Sequence, residues 1–458
     1  MTTLAASGFG LRCAACGTKV AIDTAFSWRC PNAPEGNRHH VLHIDAPIAP
    51  LRAVEHPNPF VAFRKYLAWD AFAAAHGLDD AARVALIEEL DTKVASVAGV
   101  GFRTTPYGRA DKLSDALRFS SSGGVWVKDE THNVAGSHKA RHLFGELLHV
   151  VTAERVGIAP WREASSRPPL AIASCGNAAF AASTLAKALA WPIRVFVPVT
   201  ASEALLEMLR SVDADIVVCP RLDTDPPGDP CVHRFREEVA AGAIPFGVQG
   251  TENAWCLDGG RTIGWEIADA EERMSAPPLD RLFIQVGGGA FAANAATGLF
   301  AGGLRPMLHA VQTQGCAPLA RAWDRAKASG GARNAGSRWD ECMWPWEGEM
   351  SSLADGILDD ETYDWVAVCN AMSDSGGSPV VASEHDIVEA YALAHRTTDI
   401  DVSPTGSAGL AGVLAMRDSI ADDERVVVVF SGVRRHFMAL PNEGRRCTWS
   451  LPGVTTQV

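Results

Sequence analysis

One lysine sits in the stretch HNVAGSHKARH, residues 132–142, among histidines and arginines and just after a Gly-Ser pair. Lys139 is therefore either part of a solvated basic face or an amine placed to attack a carbonyl. Three other stretches end an apolar run on small or polar residues. FIQVGGGAFAANAATGL brings Gly287, Gly288, Gly289 and Ala290 to the point where a strand gives way to a helix. Bare backbone N–H groups there could cradle a phosphate, although the spacing is not G-x-G-x-x-G and a tight strand-helix turn would read the same. AIASCGNAAFAAS ends on Ser174, Cys175, Gly176 and Asn177, which could donate to a carboxylate and an aromatic hydroxyl or simply cap a helix. RVVVVFSG delivers the Ser431 hydroxyl at the end of a wholly apolar strand, where a capping serine is the alternative. Near the start, Cys13, Cys16 and Cys30 precede His39, His40 and His43, a donor set chemically suited to a zinc knuckle.

These residues need a scaffold to bring them together. The chain has 458 residues, 47% hydrophobic and 21% charged, which is globular composition and enough for two lobes plus an appendage. The net charge of −13 and the lack of a long Lys/Arg run argue against nucleic-acid or anionic-lipid partners. No apolar run approaches the roughly 20 residues of a spanning helix, and the first residues lack a basic-then-apolar leader pattern. With 11 scattered cysteines, an odd count, free thiols and a cytoplasmic location are expected. Residues 52–98 carry a helical, Ala-rich pattern ending on Gly99. Beyond it, short β-branched runs such as GGVWVKDE, PLAIASC, IRVFVPV, ADIVVC, LFIQVGGG, LHAVQTQ and RVVVVFSG alternate with amphipathic stretches. That rhythm predicts an α/β fold of parallel sheets covered by helices.

Taken together and in order, these stretches resemble the pyridoxal-phosphate enzymes of the tryptophan-synthase β group, fold type II, over about residues 100 to 440. VKDETHNVAGSHKAR resembles that group's lysine segment, SCGNAAFA its S-x-G-N loop, VGGGA its phosphate loop and FSG its pyridine-nitrogen segment. LDGGRTIGWEI is similar to a stretch of threonine synthases, and LADGI to one of the dehydratases. The resemblance implies that Lys139 holds pyridoxal 5'-phosphate as a Schiff base and moves the substrate's α-proton. It implies that Asn177 meets the ring hydroxyl, that Gly287, Gly288, Gly289 and Ala290 bind the phosphate, and that Ser431 faces the pyridine nitrogen. His138 adjoins the cofactor in the same reading, and Ser174, Cys175 and Gly176 receive the substrate carboxylate. An uncharged serine opposite the ring nitrogen makes a mild electron sink, which suits elimination or replacement of a β or γ substituent over transamination.

The same resemblance implies two α/β lobes, residues 46–144 with 256–458 and an inserted smaller lobe at 145–255, behind a zinc-ribbon-like arm at 1–45. The arm lacks a second thiol after Cys30, so Cys13, Cys16 and Cys30 would be completed by one of His39, His40 or His43, with His39 assigned here and structural zinc as the metal. Arg434, Arg435 and His436 give the rim near Ser431 an anion preference or form a solvated cluster. A homodimer and a small amino-acid substrate are what the group implies. The leading expectation is a threonine-synthase-like lyase or synthase. A serine/threonine dehydratase-like ammonia-lyase is its nearest rival, and a non-catalytic sensor of pyridoxal phosphate or an amino acid is a third reading, opposed by the intact Lys139.

Overall fold

The computed structural model describes residues 8–47 and 49–435. Three short strands, β1 (Gly10–Cys13), β2 (Lys19–Ala21) and β3 (Leu42–Asp45), form an antiparallel sheet in the order β2-β1-β3. The turn after β1 closes through the Gly17 N–H to Cys13 O and the Cys13 N–H to Thr18 O. Gly17 sits there at φ +73°, a conformation glycine adopts freely, and the turn presents Cys13 and Cys16 together.

Further strands follow in chain order: β4 (Tyr107–Arg109), β5 (Gly124–Asp129), β6 (Leu170–Ala173), β7 (Ile193–Pro198), β8 (Asp215–Cys219), β9 (Ile244–Pro245), β10 (Arg281–Gln285), β11 (Met307–Thr313), β12 (Ser378–Ala382) and β13 (Arg425–Phe430). They form a larger sheet, β12-β11-β10-β13-β5-β4, and a smaller one, β8-β7-β6-β9. All pairings in these two sheets are parallel except that of β4 with β5. Every residue of β5 and β13 is buried, as expected when helices cover both faces of a parallel sheet. Alternation then sorts β13 cleanly: Val427 and Val429 enter one apolar core, Val426 and Val428 the other.

The helices that matter for the site are α1 (Asp80–Ala98), α2 (Lys139–Arg155), α3 (Asn177–Ala188), α4 (Thr262–Met274), α5 (Ala290–Ala301) and α6 (Pro404–Met416). The helical pattern of 52–98 resolves into the short helices Pro59–Ala62 and Ala68–Ala75 and the longer α1, with Gly99 left-handed at the end of α1. Residues 46–144 contribute to more than one part of the fold. β4 and β5 lie in the larger sheet, whereas Phe60, Phe72, Leu86 and Val94 share one core with the arm, α2 and the smaller sheet. Helix α2 crosses the turn Cys256–Gly259 at two glycines. The Gly145 Cβ position is 2.9 Å from Gly259 N, and a Cβ on Gly259 would collide with the Arg141 carbonyl. No described helix is long and apolar enough to cross a membrane.

Candidate active site

Three neighbouring parallel strands, β5, β13 and β10, end at one edge of the larger sheet, the edge where open α/β sheets bind ligands. The chain leaving β5 turns through Ala135 and Gly136, both left-handed at φ +54° and +69°, and enters α2 at Lys139. The segment before the lysine is laced to the end of β13. The His138 N–H donates to Ser431 O at 3.0 Å, the Val433 N–H to Gly136 O at 2.8 Å, and Ser137 bridges Gly432. After β10 come Gly287, Gly288 and Gly289, then α5 from Ala290. The His138 ring stacks on Phe291, centroids 3.9 Å apart, so the residue before the lysine leans on the helix that follows the glycines. Asn177, at the start of α3, approaches from the smaller lobe. Its Nδ2 lies 2.9 Å from where a Cβ on Gly432 would stand. Lys139, the glycine loop, Ser431 and Asn177 thus lie around one edge of the larger sheet.

The chemistry of each group follows from its surroundings. Burial lowers the pKa of Lys139, which favours the free amine, while the Asp359 carboxylate opposes that shift. His138 and His142 are buried and held neutral, His142 down to about 3, and their ring nitrogens lie 3.4 Å apart. Gln285 donates to Ser431 Oγ at 2.7 Å. The amide is oriented by the Thr405, Gly406 and Val429 carbonyls around the same Nε2, so Ser431 accepts from it and keeps its own proton to donate. The carbonyl of Asn177 accepts from Arg435 at 2.8 Å, which turns its amide nitrogen toward Gly432. Ser174 and Gly176 lie in the same loop, with the Gly176 N–H 3.4 Å from Ser174 Oγ, and Cys175 is exposed at its tip.

The glycine loop ends at a helix N-terminus. Gly289 is left-handed and offers no side-chain cap to α5, so the helix N-terminus is open to an anion. A carboxylate already leans on the loop. Asp359 takes a backbone hydrogen bond from Gly288, a Cβ on Gly287 would collide with its Oδ2, and burial pushes its pKa up to about 6 despite Lys139.

Beneath the site runs a buried charge network. Arg141 donates to both oxygens of Glu130, at 2.8 and 2.9 Å, and to Thr262 and Glu266, while Lys128 pairs with Glu266 and donates to Thr105 O at 2.7 Å. All four charged side chains are fully buried. Burial opposes the charge on Glu266, but Arg141 and Lys128 more than offset it and hold the carboxyl below its usual range. Asn133 ties this network to the lysine loop through Glu130 Oε2 at 2.9 Å and Ser137 O at 3.3 Å. Lys128, Glu130, Asn133 and Arg141 of the VKDETHNVAGSHKAR stretch thus tie the loop before Lys139 to the buried network.

Sequence reasoning did not single out Gln285, Asp359, Tyr363, Asp364, Cys256 or Glu146. Asp359, Tyr363 and Asp364 follow directly on the LADGI stretch, which was the one signal available for them. Glu146, two turns along α2 from Lys139, is buried with neither oxygen in full hydrogen-bonding geometry to a described partner. Burial raises its pKa well above the usual carboxylate value, and the Gly247 N–H offsets this only in part. A carboxyl raised in the folded state stabilises fully below its unfolded value, and that contribution is lost as pH rises toward the folded value, at about 1.4 kcal/mol per unit. Glu146→Gln is therefore expected to raise Tm at pH 8 by about 2 °C or more and to leave it nearly unchanged at pH 4. Thermal scans of both proteins at the two pH values check this, and equal shifts would refute it.

The arm gathers a second constellation. Donor atoms of Cys13, Cys16, Cys30 and His40 all lie within 4.8 Å of one another. His40, not the assigned His39, completes the set. Neighbouring side chains of the extended segment point opposite ways, so His39 instead stacks on Trp339 at 4.7 Å and pairs with Asp340 at 2.9 Å. His43 Nε2 is buried without a partner among the described residues. At the rim, Arg434 pairs with Asp401, Arg435 turns inward onto Asn177 and Ala135 O, and His436 lies outside the described residues.

The family model described as pyridoxal-phosphate dependent enzyme matches residues 100–432. No curated protein matches the chain by sequence. Among solved structures, a threonine deaminase from T.th. is similar with TM-score 0.58 and 20% identity, over 77% of this chain and 99% of that one. The processed form of threonine deaminase isoform 2 from Solanum lycopersicum gives 0.57 and 18%, over 78% and 91%. Diaminopropionate ammonia lyase from Escherichia coli gives 0.58 and 14%, over 78% and 89%. At these identities the likeness establishes the fold.

Proposed function

The chain belongs to the pyridoxal-phosphate-dependent enzyme family, and from that premise we propose that it eliminates or replaces a β or γ substituent on a small amino acid, as threonine synthases do. Lys139, Asn177, Ser431 and the Gly287–Ala290 loop would hold the cofactor, with His138 packed beside them. When bound, the cofactor supplies an electron sink for bond breaking at the substrate's α-carbon. The residues of this chain do the rest. The Lys139 amine, favoured in its free form by burial, takes the α-proton and returns it. Backbone and hydroxyl donors of Ser174, Cys175, Gly176 and Asn177 receive the substrate carboxylate and orient the leaving substituent. Asp359, whose carboxyl burial pushes up to about 6 beside Lys139, is the group assigned here to give a proton to the departing substituent.

The choice of reaction rests on Ser431, which accepts from Gln285: an uncharged hydroxyl opposite the ring nitrogen would not hold that nitrogen protonated. Serine, threonine, homoserine and their O-phospho and O-acetyl forms are the substrates to screen. Ser431→Asp is expected to slow elimination at least about tenfold and to raise transamination, because a carboxylate would hold the ring nitrogen protonated. Transamination as the main activity of the unaltered enzyme would sink the reading.

A second reading, a serine/threonine ammonia-lyase, is supported by the LADGI stretch and by a fold shared with threonine deaminases. Release of a 2-oxo acid from threonine, without turnover of O-phosphohomoserine, would decide for it. The intact, partly buried Lys139 speaks against a non-catalytic sensor. For the arm, structural zinc is the proposed occupant of Cys13, Cys16, Cys30 and His40. A tetrahedron with Zn–S bonds of about 2.3 Å has edges of about 3.8 Å. The Cys16 and Cys30 sulfurs lie 3.7 Å apart, and Cys13 Sγ lies 3.6 Å from His40 Nδ1.

A further inference from the structure

Between the arm and the catalytic body lies a pocket of about 240 Å³. Its arm-side wall is Gly36 to His39, and the opposite walls include Arg236, Thr251, Glu361 and Tyr363. Tyr363 joins the pocket to the active site. Its ring carbon Cδ2 stands 3.1 Å from the Cβ position of Gly288, so the residue that lines the pocket also packs on the glycine loop. The polar groups in this pocket are of both signs. Arg38 and Arg236 share the Glu252 carboxylate, at 3.5 and 2.7 Å. Glu361 faces them, raised to about 7 by burial and by Asp360. Thr251, 3% exposed, is one of the lining residues, and its buried hydroxyl has no hydrogen-bond partner among the described residues.

Guanidinium groups for a carboxylate, a carboxyl for an ammonium and a spare hydroxyl together match a small zwitterion. The arm-side wall has its own support. Residues 31–39 contain no helix or strand, and they run between two of the four clustered donors, Cys30 and His40. A metal there would pin both ends of the loop, adding to the Asn32 bond to Thr18 and the Arg38 and His39 contacts that also hold it.

We propose that this pocket is an antechamber that binds the free amino acid before it reaches Lys139, and that zinc on Cys13, Cys16, Cys30 and His40 holds its wall. The proposal rests on the amino-acid reading of the active site. It separates substrate capture from chemistry: the arm sets KM, and the residues around Lys139 set kcat.

The test uses the full chain with L-serine, L-threonine and O-phospho-L-homoserine as probes. Elemental analysis should find close to one zinc per chain, absent in Cys16→Ser. Chelator-stripped enzyme and Cys16→Ser should show KM raised at least tenfold with kcat within twofold, and pyridoxal phosphate affinity by absorbance titration unchanged. Restoring zinc to the stripped wild type should restore KM. Calorimetry on cofactor-free protein should give amino-acid binding that Thr251→Val weakens at least fivefold and zinc removal weakens further. No zinc after addition, a KM indifferent to metal, or calorimetric binding unaffected by both Thr251→Val and stripping would each overturn the antechamber. If calorimetric binding behaves as expected but no probe is turned over, the antechamber stands and the reading of the reaction falls.

Discussion

Lys139→Ala is expected to abolish covalent capture of pyridoxal 5'-phosphate and to lower turnover by at least about 10³-fold. The amine has two jobs, holding the aldehyde and moving the α-proton, and loss of a general base alone accounts for about 10² to 10⁴-fold. Borohydride reduction followed by peptide mass analysis should place the phosphopyridoxyl group on position 139 of the wild type and nowhere in the variant. Lys128, only eleven residues earlier, is no substitute, because it is buried in its pairing with Glu266 and donates to Thr105 O. A label found elsewhere in the wild type would end the assignment of Lys139. The variant should keep its fold, since the helix begins at the lysine and its anchors lie at Arg141, His142 and Gly145.

Arg141→Met is expected to cost about 3–5 kcal/mol of stability, the second large effect. The four charges of Lys128, Arg141, Glu130 and Glu266 balance, and removing one cation strands a buried carboxylate, a loss of that size. Thermal unfolding at pH 7 should show a fall of about 4 °C. The double variant Arg141→Met with Glu266→Gln restores the balance and is expected to recover part of that loss, because the two sites are directly coupled. A single variant within about 2 °C of wild type would mean that packing, not charge, clamps the lysine loop. Turnover should fall in the single variant as well, since Asn133 carries the network's position to Ser137 and from there to Lys139.

How far the sequence reaches can be judged residue by residue. The glycine loop, the Ser174 to Asn177 loop and Ser431 stand out in the sequence because each follows a short apolar run, and strand ends are where a parallel sheet places its ligand-binding groups, whereas Lys139 is singled out by resemblance and not by its local pattern. The alternation of runs likewise foretold two helix-covered parallel sheets. Long-range partners were not legible. Gln285 meets Ser431 across 146 residues, and Glu266 meets Lys128 across 138, and no local periodicity encodes such a meeting. The choice among His39, His40 and His43 depended on which way an extended segment faces, and three closely spaced histidines do not reveal that. The helices between 59 and 98 read correctly as helices, but their docking on the smaller sheet's core is a tertiary choice.

The glycine crossing of α2 over the Cys256–Gly259 turn has an engineering consequence. Two bare backbones touch there, within a turn of Arg141 and two turns of Lys139. Even one added methyl group at position 259 would lever the helix outward and misaim the amine, so a laboratory evolution campaign should find this spot intolerant of every replacement. Attempts to retune specificity will have their freedom in the rim loops, and screening libraries should leave this contact untouched.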